Sequence, residues 1–100
     1  MLTSYYTELH CEKEYNYNGE TTMVQIFTAS VAGLVDGRGE VHYSGQIEVG
    51  GREVNRRFKF KNYKVAMEKA IAYIKRKELT ISKTTTEKYV SYDNGYTWNK

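Results

Sequence analysis

An α+β domain is predicted by three features of this 100-residue chain. Alternating runs are closed by glycine-bearing turns, one stretch after them has helical spacing, and a turn-rich segment follows near the end. Together they describe a four-stranded antiparallel β-meander with one amphipathic helix packed on it and a C-terminal β-hairpin. The strands are expected at about 3–15, 22–32, 40–49 and 52–61, the helix at about 63–78 and the hairpin at about 85–98, all in one domain, 1–100.

The first strand, TSYYTELHCEKEY, alternates loosely and ends at Asn18-Gly19. Both residues tolerate the left-handed backbone that a two-residue hairpin turn needs. The next run, TMVQIFTASVA, is rich in β-branched residues. With that turn, Leu9 and Cys11 share a side with Val24, Ile26 and Thr28, while Tyr6, Glu8 and His10 share the other with Phe27 and Val31. Both sides carry apolar residues, so the pattern does not decide which is core.

The second turn cluster, Asp36-Gly37-Arg38-Gly39, leads into the central hairpin, with Gly50-Gly51 as its loop. If Val49 pairs with Arg52, then Val41, Tyr43, Ile47, Val54, Arg56, Phe58 and Phe60 face inward. His42, Ser44, Gln46, Glu48, Glu53, Asn55, Arg57, Lys59 and Lys61 then make a wet outer face that is basic toward one end. In that register Ser44 lies opposite Arg57. Asn62 has the oxygen-bearing side chain of a helix N-cap. Tyr63, Ala66, Met67, Ala70, Ile71 and Ile74 follow on one helical face, and Lys75-Arg76-Lys77 complements the negative end of the helix dipole.

A net charge of +3 is mildly basic, short of the dense stripe of a dedicated nucleic-acid domain. A single cysteine, Cys11, rules out an intramolecular disulfide and a cysteine-built zinc site. MLTSYYTELH has no basic leader or apolar core, and no run reaches membrane-spanning length, so a cytoplasmic protein, or one made in a host cytoplasm, is expected. Neither a cofactor nor a metal is expected, because the chain carries none of the usual signatures for holding one.

Ser91-Tyr92-Asp93-Asn94-Gly95-Tyr96-Thr97-Trp98 matches S-x-D-x-G-x-T-W and resembles an Asp-box, the hairpin of sialidase propellers and some microbial ribonucleases. The likeness covers eight residues. It implies a structural role for Ser91, Asp93, Gly95, Thr97 and Trp98: side chains tie the turn and the indole packs beneath it.

Function rests on surface chemistry. Arg57, Lys59 and Lys61 share one face with His42, and Tyr92 and Tyr96 are among more tyrosines than a small core can bury; exposed tyrosines make good contact residues. The expectation is a non-catalytic binding protein whose partner is a protein of the nucleic-acid-processing machinery. In size and style it is similar to small inhibitors and modulators of phages and mobile elements, anti-CRISPR proteins among them. The alternative is direct nucleic-acid binding by the same basic face. A third reading, a small ribonuclease-like enzyme using His42, Glu48, Glu53 and Arg57, is disfavoured by spacing. His42 and Glu48 are six residues apart on one strand, roughly 20 Å at strand rise.

Overall fold

A computed structural model describes all 100 residues. Strands β1 (Leu2–Tyr17), β2 (Glu20–Gly33), β3 (Gly39–Gln46) and β4 (Glu53–Phe60) form the expected meander. Helix α1 (Tyr63–Arg76) and strand β5 (Thr80–Ser91) follow. They build one antiparallel sheet in the order β4-β3-β2-β1-β5. The expected C-terminal hairpin is thus replaced by a fifth strand along β1, with a single return bridge from Asn99 to Val90.

The helix carries the chain from the β4 edge to the β5 edge. Its 14 residues span about 21 Å at 1.5 Å per residue, close to the roughly 19 Å of four strand spacings. Asn62 caps it as expected, its side-chain oxygen accepting from the Val65 N–H at 2.9 Å. The helix ends two residues before the expected limit, at Arg76, and Glu78 takes a left-handed φ of 58°. Ala66 and Ala70 are fully buried, and Gly39 lies directly beneath Ala66. A Cβ on Gly39 would come within 2.3 Å of the Asn62 carbonyl oxygen, so only glycine admits the helix this close. Around that contact sit Leu9, Cys11, Phe27, Ala29, Val31, Val41, Tyr43 and Ile74. Burial pushes the Cys11 thiol up to about 11, which leaves it a small apolar core residue.

Two registers differ from expectation. From Tyr17↔Glu20 to Glu12↔Gln25 the first hairpin pairs as its Asn18-Gly19 turn dictates, with both turn residues at positive φ. Between Cys11 and Glu12 the register then shifts, with Ile26 as the extra residue, and Cys11 pairs with Phe27. This β-bulge inverts the phase, so Phe27, Ala29 and Val31 join Thr7, Leu9 and Cys11 on the helix side. Thr28 moves to the outer face with His10. A second irregularity, at Ser82 of β5, falls beside the same point of β1.

In the central hairpin the Gly51 N–H donates to the Glu48 carbonyl at 2.9 Å, and Gly50 has φ +75°. The turn spans Glu48 to Gly51 with Val49-Gly50 at its centre, one residue earlier than expected, and Gln46 pairs with Glu53. A shift of two keeps every side chain on its expected face but puts His42 opposite Arg57 and Asn55 opposite Ser44. Phe58, expected in the core, is 44% exposed on the helix side. No helix is long and apolar enough to cross a membrane.

Candidate interaction surface

The helix covers one face of the sheet; the other is open. Its registers set side chains in rows across all five strands. One row runs Lys59, Glu40, Ala32, Tyr6, Glu87. The next runs Arg57, His42, Ser30, Glu8, Thr85, and a third runs Asn55, Ser44, Thr28, His10, Lys83. Small residues of β2 form the centre line, with larger polar side chains of β1 and β3 on either hand.

The charges on this face are largely matched. Arg57 binds Glu40 at 3.1 Å, and His10 lies 3.4 Å from Glu8. His42 bonds the Asn55 side-chain oxygen at 2.7 Å. Lys100 returns over the sheet to reach Glu87 at 2.6 Å, and the Tyr89 hydroxyl donates to the other oxygen of that carboxylate. Those two bonds hold the Glu87 carboxyl below the usual range.

The Lys59 row ends beside a hollow of about 400 Å³ lined mainly by apolar groups, among them Tyr6, Ala32, Val35, Tyr89 and Trp98. The indole is held there by the loop after β5. The Ser91 hydroxyl donates to Asp93 Oδ1 at 2.8 Å and accepts the Gly95 N–H, while the Thr97 N–H donates to the same Asp93 oxygen at 2.8 Å. The backbone N–H of Thr97, first, keeps the Asp93 carboxyl below its ordinary value. Ser91 is fully buried, and Gly95 takes φ +95° against Val35 and Leu2. Trp98 Nε1 is itself buried and has no acceptor.

Of the residues singled out in the sequence, His42, Arg57 and Lys59 are neighbours on the open face. Lys61 lies past the end of β4, in the bend before the helix. Tyr92 and Tyr96 are 76% and 90% exposed in the loop beyond β5, at the opposite edge of the sheet. Tyr6, Ala32 and Tyr89 were not singled out. Nothing local marks them, because Tyr6 and Trp98 meet only through β5 pairing and the return of the last residues. Comparison with protein-family models, with curated proteins and with solved structures returns no match.

Proposed function

We propose that this chain is a non-catalytic binding protein that docks, through its open sheet face, on a protein of the nucleic-acid-processing machinery, as a small inhibitor or modulator would. One observation carries the reading: an apolar hollow of about 400 Å³ at the end of an uncovered face is walled by Tyr6, Tyr89 and Trp98. A partner side chain that fills the hollow would bury these aromatic rings, the residue types that most often anchor an interface. His42, Arg57 and Lys59 extend the surface across the sheet, and Lys61, Tyr92 and Tyr96 lie at its margins.

Direct capture of nucleic acid by the same face is the weaker reading. Glu8, Glu40 and Glu87 interleave with Arg57, Lys59 and Lys83, so no continuous positive stripe exists to follow a phosphate backbone.

The test is capture from lysate with and without nuclease, comparing wild type with Arg57→Glu/Lys59→Glu/Lys61→Glu. A discrete nucleic-acid-processing protein retained after nuclease by the wild type, and lost from a triple variant with native circular dichroism, is the expected result. Nucleic acid as the sole captured species, released by salt, would overturn the proposal, as would full capture by the triple variant.

A further inference from the structure

The inward face of β4 reads Val54, Arg56, Phe58, Phe60, paired with Gly45, Tyr43, Val41 and Gly39. Alternation calls for an apolar side chain at position 56, and an arginine stands there. Phe60 packs on the core, but Arg56 and Phe58 lie beyond the helix and are exposed. They border a hollow of about 530 Å³ with Arg52, Tyr43 and Tyr73. Tyr43 and Tyr73 approach to 4.5 Å between ring centroids, and the exposed Phe58 ring meets Tyr43 at 5.9 Å with the planes 61° apart. The Arg76 guanidinium lies 5.4 Å from the Tyr73 ring centroid.

Arg52, Arg56 and Arg76 have no carboxylate partner; the chain's ion pairs are Glu8–His10, Asp36–Arg38, Glu40–Arg57 and Glu87–Lys100. Glu53 also borders the hollow, but it pairs with Gln46 and belongs by alternation to the opposite face. Burial, with the neighbouring Tyr73, raises the Tyr43 hydroxyl, and the Arg76 charge opposes that rise.

We infer that this hollow is a nucleotide site, the base stacking on Phe58 and the phosphate held by Arg56 with Arg52. Guanidinium groups bind phosphate oxygens in pairs, and an aromatic face accepts any base. The volume falls within the range of small-ligand sites. Phosphate alone would not need the aromatic wall, and an apolar ligand would not need two unpaired arginines in it. The site is independent of the docking surface proposed above, since Arg56 and Phe58 face the helix side and Arg57 and Lys59 face away.

The experiment is an NMR titration of the full chain with thymidine monophosphate, inorganic phosphate and a ten-residue oligothymidylate, reading the ring signals of Tyr43, Phe58 and Tyr73. Those signals should move with thymidine monophosphate. Arg56→Glu should weaken binding by about tenfold or more, Phe58→Leu by about fivefold, and Arg57→Glu by less than about twofold. Equal per-site affinity for the mononucleotide and the oligomer assigns a free nucleotide; an oligomer bound more than about tenfold tighter assigns a single strand. Ring signals unmoved by either, shifts that survive Arg56→Glu, or phosphate binding as tightly as the mononucleotide would each overturn the assignment. Native circular dichroism of the variants separates lost binding from lost fold.

Discussion

The ladder between β1 and β2 has two halves that share a chain, a turn and a pairing mode, and they live in different surroundings. From Thr7↔Val31 to Cys11↔Phe27 it is the middle of the sheet, with β5 and β3 outside it and the helix above. From residue 13 to residue 24 it has lost both flanking strands, since β3 pairs no farther than Phe27 and β5 no farther than Glu12. This second half is a bare two-stranded arm, and it helps give the molecule extents of 57 × 22 × 18 Å. Tyr15 and Tyr17 stack on it at 6.4 Å, yet both remain exposed. Backbone pairing is therefore nearly uniform along the ladder, while side-chain burial is not. An isolated two-stranded ribbon is marginal in water, so the arm depends on the body to hold it.

The bulge at Ile26 joins the two halves, and deletions test it most severely. Removing Ile26 leaves Glu12↔Gln25 and Cys11↔Phe27 as consecutive pairs, so a folded chain is expected, weakened by about 1–1.5 kcal/mol for the lost half-buried side chain. Removing Thr28 also lets the bulge close, but with Cys11↔Ile26 and His10↔Phe27 as the new pairs. Ala29 and Val31 keep their face while Phe27 turns outward and Ile26 takes its place, so a larger loss of about 3–5 kcal/mol is expected. Two-dimensional NMR and urea unfolding of both deletions decide; a Thr28 deletion as stable as the Ile26 deletion, with Phe27 still packed on Tyr43, would break the account of the phase.

A milder contrast compares one ring from each half. Phe27→Ala removes a side chain packed among Tyr43, Tyr73 and the helix, and should cost about 3–5 kcal/mol in urea unfolding. Tyr15→Ala, on the arm, should stay within about 0.5 kcal/mol. Similar losses would mean that the arm is packed in a way its exposure does not show.

The smallest effect belongs to the loop beyond β5, the other outlying part of the molecule. The Asp93 carboxyl is lower in the folded state than in the unfolded one. Its support for the loop is therefore complete above the ordinary aspartate range and is lost as pH falls through the depressed folded value. Fluorescence of Trp98, the single tryptophan, should report this as an acid transition that precedes global unfolding and is absent in Asp93→Asn. A transition that persists in Asp93→Asn would assign the loop's acid sensitivity to another group.

Local chemistry was legible in the sequence wherever one residue type meets one backbone need. Asn18-Gly19 supplied the left-handed pair, Asn62 the cap, and the Ala66/Ala70/Ile74 spacing the buried helical stripe. Alternation in the central hairpin also assigned His42, Arg57 and Lys59 to one face, because a slip of two residues leaves faces unchanged. What tertiary structure alone decided was phase and neighbourhood. A bulge adds one residue without any special residue type, and Ile26 reads like its neighbours until the helix demands Phe27, Ala29 and Val31 on the same side. The Thr-rich run of β5 shows no clear inward face, so its place beside β1 depended on where the helix delivered the chain. Both the Tyr6–Trp98 hollow and the Arg56–Tyr73 hollow join residues from distant segments, and only packing brings such residues together.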